Sequence, residues 1–546
     1  MKERLNSFLR AAIIIICIIA AGFAAGYGIG MLLGGKSSEC TVTLCQTTDT
    51  HGAYFDSLYV DGEANETSFA NVASYLKALR SEGEDPILID CGDIIQGDNA
   101  SYFYNFVDTT DRHLAAEILD YLDYDVAVVG NHDVEPGHPV YDRYSRDLNM
   151  PLLAANAICT GGKDEGKSYF PEYAIVKRNG VKVAVIGMTN ANISQWLPAE
   201  NWAGLEFQDI STIAQEVIDK VRRKEKPHIV VLAVHSGAGN GEDGLENEAI
   251  YLAESLKGVD VVLYGHDHQA GMQVVETSDG RKVSVLNAGT KNENVARCDI
   301  HLTLKHGKVK DISFENSLIP MEGYNPDSDY CTFFKPMYAK VREFAGTKVG
   351  SLSGGLDFSV CVDGPSAALS LIHAVQLDAT GADISFSSPL TTKGNVDPGV
   401  VTFRDLVKLY RFENTLNKVS MTGRQIKDYL EYSYDHWVRN DGPYYNFDSA
   451  EGIDYEVSRS AAYGERVHIF SMSDGRPFSY DETYSVAMNS YRSSGGGDIL
   501  EKGAGIVPSD LEILGSYKDI RSLVRDYISQ RGNLSPEAAS NWKFVK

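Results

Sequence analysis

What the chain lacks narrows it first. It has no basic block: 50 Lys and Arg face 75 Asp and Glu, a formal charge of −25. Binding a nucleic-acid backbone rests on cations that neutralise phosphates, so no nucleic-acid polymer is an expected partner. An acidic protein still binds anions where metal cations supply positive charge locally. Cysteine builds no framework either. Cys17, Cys40, Cys45, Cys91, Cys159, Cys298, Cys331 and Cys361 are scattered over 546 positions without a C-x-x-C pair, which argues against a zinc-thiolate site and leaves at most incidental disulfides. No internal repeat or low-complexity tract is present. Charge is missing altogether from one stretch, between Arg10 and Lys36.

Inside that stretch residues 11–33 (AAIIIICIIAAGFAAGYGIGMLL) are apolar, and about 20 such residues span a bilayer as a helix. Lys2, Arg4 and Arg10 on the N-terminal flank keep that end cytoplasmic. The expected layout is a cytoplasmic n-region at 1–10, a transmembrane signal-anchor at 11–33 and a linker at 34–40. The membrane is then a partner, with the bulk of the chain extracytoplasmic and held single-pass in the cell membrane. The rival is a cleaved signal peptide, which leaves a secreted protein; the small residues Ala20, Ala21, Ala24 and Ala25 supply cleavage sites.

Beyond the linker, short apolar runs alternate with helical patterns. Strands are expected at Thr41–Cys45, Ile87–Asp90, Val126–Val129, Val183–Ile186, Ile229–Val234, Val261–Tyr264 and Val283–Leu286, with helices at Phe69–Arg80, His113–Leu122, Ile213–Arg223 and Asn247–Leu256. This is an α/β rhythm, and ligands of such folds gather beyond the carboxyl ends of strands. Near Gly323 the texture changes to a Pro/Asp/Tyr-rich join and a helical segment, Tyr330–Phe344. A second unit follows, with helices at Ala367–Thr380 and Gly423–Tyr434 and strands around Arg466–Met472 and Tyr484–Met488. The expected division is 41–322, a linker helix or hinge at 323–350, and 351–546.

Nearly every strand of the first unit is followed by a hard, metal-capable side chain. Asp49 and His51 stand in TTDTHG, Asp93 in DCGD, Asn131 and His132 in GNHD, His235 after Ile229–Val234, and His266 and His268 in GHDH. One Asp or His after a strand is ordinary turn chemistry; five such places in one rhythm are not. Imidazole and carboxylate donors without thiolates suit Mn, Zn, Fe, Co or similar divalent ions. Two such ions, roughly 3.5–4 Å apart, clamp a phosphate ester and make hydroxide available at neutral pH.

The motif set DxH…GDxxQG…GNH…H…GHxH, with Gln96–Gly97, resembles the calcineurin-like metallophosphoesterases, and within them the 5′-nucleotidase / 2′,3′-cyclic phosphodiesterase family. The resemblance implies a four-layer α/β fold, a metallophosphoesterase β-sandwich flanked by helices, plus a C-terminal α+β substrate-binding domain. It implies one metal held by Asp49, His51 and His268, the other by Asn131, His235 and His266, with Asp93 bridging and Asn131 also touching substrate. His132 becomes the catalytic acid or transition-state stabiliser. In 5′-nucleotidases an Asp three residues on, within NHEFD, pairs with that His; here NHDVE offers Glu135, while Asp133 reads as structural.

Three segments of the second unit look like the family's substrate domain: LVKLYRFENTLNKVSMTGRQIKDYLEYS (406–433), YYNFDSAEGIDYEV (444–457) and NSYRSSGGGD (489–498). The resemblance implies that one aromatic from each of the last two sandwiches the nucleobase: Tyr445, with Phe447 as its substitute, and Tyr491. The glycines at 495–497 either let backbone approach the ligand or form a plain turn. Where 5′-nucleotidases carry NGGGIR, this chain reads SSPLTTKG (387–394), without Arg. LYRFENTL, YYNFD and NSYRSSGGG are closer to the bifunctional 2′,3′-cyclic-nucleotide 2′-phosphodiesterase/3′-nucleotidases. The expected activity is therefore opening of a 2′,3′-cyclic nucleotide to the 3′-nucleotide and hydrolysis of that to nucleoside and phosphate. The alternatives are a 5′-nucleotidase or nucleotide-sugar hydrolase on the same scaffold, or a surface nucleoside-binding protein without chemistry.

Overall fold

The structure, a computed structural model, describes residues 37–57, 64–241, 246–277 and 280–546. The expected membrane anchor is corrected. Residues 11–33 lie outside the described residues, and no helix among those described is long and apolar enough to cross a membrane. No membrane-spanning element, membrane partner or single-pass localisation is therefore assigned.

The first domain is two six-stranded sheets packed face to face. One runs, in spatial order, Lys308–Pro320, Asn294–Lys305, Ser38–Thr47, Ile87–Asp90, Val126–Val128 and Leu152–Leu153; the other Gly271–Glu276, Lys282–Asn287, Val261–Tyr264, Ile229–Val234, Val181–Met188 and Tyr173–Arg178. The central strands of both are parallel. Such strands are covered on both faces and so read as continuous apolar runs: every residue of Ile229–Val234 is buried. Val42, Leu44, Ile87 and Ile89 of one sheet meet Val183, Val185, Val231 and Leu263 of the other in the inter-sheet core. Helices Phe69–Ser81 and Leu114–Tyr121 cover the outer face of the first sheet, and Ile210–Lys224 and Ala249–Ser255 that of the second, completing four layers.

The 18-residue helix Ser328–Ala345, capped by Asp327, does not hang free as a linker. Its apolar face, Tyr330, Phe334, Val341 and Ala345, is buried in the first-domain core, and the Tyr330 hydroxyl donates to the Tyr54 carbonyl at 2.8 Å. Chain direction then passes to a separate α+β domain around a mixed sheet, ordered Ser449–Glu451, Ile384–Ser387, Thr483–Asn489, Thr415–Thr422 and Ile513–Asp519. Helices Ala367–Thr380, Gly423–Arg439 and Ile520–Arg531 pack on it. All seven described cysteines are free thiols.

Candidate metal centre

Parallel strands point their carboxyl ends the same way, so the side chains that follow them share one rim of the sandwich. The structure brings Asp49, His51 and His268 together as one group of potential ligands, and Asp49, Asp93 and His235 as another, each with its ligand atoms within 4.8 Å of one another. Asn131 completes the second side: its Oδ1 lies 3.1 Å from His235 Nε2 and 2.9 Å from His266 Nδ1. Asp49 belongs to both groups. Asp93 also reaches both ways, 3.1 Å from His235 Nε2 and 3.9 Å from His51 Nε2.

The donor set fits divalent cations. His51 Nδ1 sits 3.1 Å from Gln96 Oε1, and His235 Nδ1 sits 2.7 Å from the Cys91 carbonyl. Those acceptors fix the N–H at Nδ1, which leaves each Nε2 lone pair facing the centre. His51 Nε2 and His268 Nε2 stand 3.0 Å apart, close enough for one cation to take both. Burial pushes the charged forms of His51 and His268 away, His51 well down and His268 to about 4. Burial likewise raises Asp49. For Asp93, His132 and His235 burial is outweighed by mutual attraction: the two imidazoles hold the carboxyl well down, and the carboxylate raises His132 to about 9 and His235 to about 10. The same negative field that attracts a proton there attracts a metal.

The backbone supports this at a cost. Asp49, His51, Asp93, His266 and His268 all have positive φ, between 43° and 82°, a region that non-glycine residues enter rarely and mostly at functional sites. Asp133 shows how one loop is held. Its Oδ2 accepts from the N–H groups of Asp93 and Gly130 at 2.9 and 2.8 Å, and its Oδ1 from those of Ile94 and Ile95 at 3.0 and 3.1 Å. Asp133 is thus the peg on which the Asp93 loop hangs. Gly130 is forced by the close approach: a Cβ there would lie 2.1 Å from Asp93 Oδ1.

Beside the centre, His132 Nδ1 is 2.6 Å from Glu135 Oε2. The longer Glu side chain therefore reaches the imidazole from the position where the family carries Asp. His132 receives its other support from the second domain, whose Phe412 ring stacks on it at 6.3 Å and 19°.

Of the expected base-stacking residues, Tyr445 is exposed at 40% and Tyr491 lies near enough to raise its pKa, although burial is the larger cause. The two are tied together by Arg492. Its guanidinium is bidentate to Asp448 at 2.8 and 2.9 Å and also donates to the carbonyls of Tyr445 and Gly496 at 2.6 and 2.9 Å. Phe447 is a correction. It is buried and stacks on Trp437 at 5.6 Å in the domain core, because the turn at Tyr444–Asn446 sends its side chain inward. The glycines at 495–497 also serve the protein: Gly496 lies flat against the Tyr491 ring, and Gly497 lies against Asn446 and Arg492.

Several neighbours were invisible to spacing. Trp196 stacks on His266 at 5.3 Å and 12°, and Glu246 Oε1 lies 3.4 Å from His266 Nε2. Lys291, whose N–H donates to the Asp49 carbonyl at 2.9 Å, is pushed down by burial and by Arg411, which acts on His51 too. Gln96 joins the domains, taking His51 Nδ1 on its Oε1 and donating to the Arg411 carbonyl at 3.4 Å. Of these, Gln96 has a signal in GDxxQG and Arg411 one in LYRFENTL.

Clustered Asp and His donors on a phosphoesterase-type sandwich make this a metal-dependent hydrolase with a binuclear divalent-metal site. Residues 42–270 match the calcineurin-like phosphoesterase family, and residues 347–502 match the 5′-nucleotidase C-terminal domain. The chain thus combines a calcineurin-like phosphoesterase domain with a 5′-nucleotidase C-terminal domain. The trifunctional nucleotide phosphoesterase protein YfkN of Bacillus subtilis is 24% identical over 574 residues, 92% of this chain but only 39% of that protein. The 2′,3′-cyclic-nucleotide 2′-phosphodiesterase/3′-nucleotidase of Haemophilus influenzae is 23% identical over 626 residues, 100% of this chain and 92% of that one. A putative 5′-nucleotidase from Staphylococcus aureus shares the fold with a TM-score of 0.78 at 20% identity, over 93% of this chain and 100% of that one.

Proposed function

We propose that the chain hydrolyses nucleotide phosphate esters in the manner of a 5′-nucleotidase or nucleotide-sugar hydrolase. The observation that carries this reading is the meeting of two ligand groups that share Asp49 with an arginine supplied by the other domain. SSPLTTKG has no Arg where 5′-nucleotidases carry one. Arg411, whose carbonyl accepts from Gln96 at 3.4 Å, brings positive charge to that side and lowers the pKa of both His51 and Lys291. Similarity to a putative 5′-nucleotidase over the whole of that chain supports the same reading.

Asp49, His51 and His268 would hold one cation and Asn131, His235 and His266 the other, with Asp93 reaching both. Bound there, divalent ions supply charge neutralisation of the ester phosphate and a water acidified to a pKa of about 7. His132, held by Glu135, gives or shares a proton at its Nε2 with an oxygen of the reacting phosphate. Tyr445 and Tyr491 stack the base, and stacking tolerates any base. The second reading, 2′,3′-cyclic nucleotide to 3′-nucleotide to nucleoside, draws on LYRFENTL and NSYRSSGGG and on the name of the Haemophilus relative. Turnover of 5′-AMP, UDP-glucose, 3′-AMP and 2′,3′-cyclic AMP with added Mn²⁺ separates them. Dominant 5′-AMP or UDP-glucose hydrolysis is expected, and dominant cyclic AMP hydrolysis would replace the first reading with the second. Asp93→Asn should abolish turnover of every substrate; full activity in that variant would sink the metal reading itself.

A further inference from the structure

The second domain does more than carry a base platform: it touches the His132–Glu135 pair directly. Glu135 uses one carboxylate oxygen, Oε2, for His132 and accepts with the other, Oε1, from the Glu413 backbone N–H at 3.1 Å. Glu413 comes from the turn after helix Phe403–Leu409, 278 residues along the chain. That turn is pinned by one side chain. Arg521, two residues into helix Ile520–Arg531 behind its N-cap Asp519, donates to the carbonyls of Tyr410 and Arg411 at 3.0 and 2.9 Å. It also donates to Glu413 Oε1 at 2.8 Å. Its guanidinium carbon lies 4.9 Å from the ring centre of Tyr102, in the first domain.

Both members of the Arg521–Glu413 pair are almost wholly buried, at 2% and 7% side-chain exposure. Desolvating two charges costs several kcal/mol per ion and is often not recovered in stability, so such a pair needs another reason to be there. A guanidinium provides it, because its planar fork of donors fixes three acceptors of one turn at once, which a lysine ammonium does not do.

We propose that Arg521 and Glu413 are positioning residues for hydrolysis: their buried pair holds the Glu413 N–H on Glu135, and Glu135 so held orients His132. Neither touches the reacting atoms. The proposal rests on the reading of His132 and Glu135 as a working pair. Its consequence is that the pair is set only while the second domain lies against the first at this turn.

The test is a double-mutant cycle of Arg521→Lys and Glu135→Gln in the full chain with Mn²⁺. It follows kcat, KM, bound metal and thermal midpoint on whichever of 5′-AMP, 3′-AMP and 2′,3′-cyclic AMP is turned over fastest. Arg521→Lys is expected to lower kcat about 5–10-fold, the loss of one oriented hydrogen bond, with KM and bound metal unchanged. In the Glu135→Gln background the same substitution should cost less than about twofold, because the route through Glu135 is already gone. Glu413→Gln keeps the backbone N–H but removes the charge pair, and it enters the same cycle if Arg521→Lys does not fold. Equal factors in both backgrounds would show a merely structural role and overturn the proposal. If Glu135→Gln lowers kcat and neither Arg521→Lys nor Glu413→Gln does, the His132–Glu135 pair stands and only the positioning role falls. If Glu135→Gln itself leaves kcat unchanged, the pair fails and the proposal with it.

Discussion

A single methyl group tests whether Tyr491 carries the base. Built on Gly496, a Cβ would sit 2.3, 2.4 and 2.5 Å from Cε2, Cζ and Cδ2 of the Tyr491 ring. Carbon atoms settle at about 3.5–4.0 Å, so in Gly496→Ala the ring must withdraw by roughly 1.2 Å. The overpacking itself costs about 1–3 kcal/mol of stability. Stacking of a base on an aromatic ring contributes about 1–3 kcal/mol, and at 1.4 kcal/mol per factor of ten its loss lowers kcat/KM about 5–150-fold. The assay compares 5′-AMP with ribose 5-phosphate, which has the same ester but no base. Gly496→Ala and Tyr491→Ala should both lose nucleotide turnover in that range and leave ribose 5-phosphate within about twofold, while Tyr491→Phe, which keeps the ring, should behave as the parent. Folded Tyr491→Ala with undiminished preference for 5′-AMP over ribose 5-phosphate would refute the reasoning. A parallel fall on both substrates would refute it as well, by placing the fault at the metals.

Two further outcomes follow from groups away from the base. Asp133→Asn replaces one carboxylate oxygen, which accepts from two backbone N–H groups, with an NH₂ that accepts from none. Loosening the Asp93 loop in this way should weaken metal binding about 10–100-fold, read by bound metal in buffers of fixed free Mn²⁺; an unchanged affinity would remove Asp133 from the support of the site. His373 is buried between Ser385 and Ser449, 3.0 and 3.2 Å away, and burial lowers its pKa to about 3. Its neutral form is therefore the native one, so stability is complete above the unfolded value near 6.5 and declines as pH falls toward 3, by about 1.4 kcal/mol per pH unit within that window. In urea titrations from pH 7 to 4.5, His373→Gln should show a slope shallower by one proton, and equal slopes would contradict the assignment.

What local sequence could reveal depended on range. The strands that feed the rim are legible because burial on both faces makes them continuous apolar runs, as in Ile229–Val234, and each ends at a hard donor. The sandwich and the separate α+β domain follow from that rhythm and from the family motifs. Phe447 misled because YYNF offers three aromatic rings in four residues, and only the turn at Tyr444–Asn446 decides which ring faces inward. The membrane helix rests on apolar length and flanking charge in residues outside those described, and no described helix replaces it. Arg411, Phe412 and Glu413 stand in LYRFENTL, a motif that marks the substrate domain but gives none of them its role. Their meaning lies in contacts such as Glu413 to Glu135, 278 positions apart, and no periodicity or spacing rule reaches across two domains.

The left-handed backbone at five of the seven candidate ligands explains why so many fixed supports surround the centre. Each such residue costs of order 1–3 kcal/mol, so five together approach the whole net stability of an ordinary domain, about 5–15 kcal/mol. Metal binding is one compensation, and it acts only when metal is present. The others are built in: Asp133 satisfies three N–H groups of the Asp93 loop and that of Gly130, the His266 N–H donates to both carboxylate oxygens of Asp49 at 3.1 and 2.9 Å, and the His51 N–H donates to the Asp93 carbonyl at 3.0 Å. Ligand loops thus brace one another across both sheets. Strain held by the protein, and not by the ions, keeps the donors preorganised, which is what a site needs if its cations are to bind without first ordering the chain.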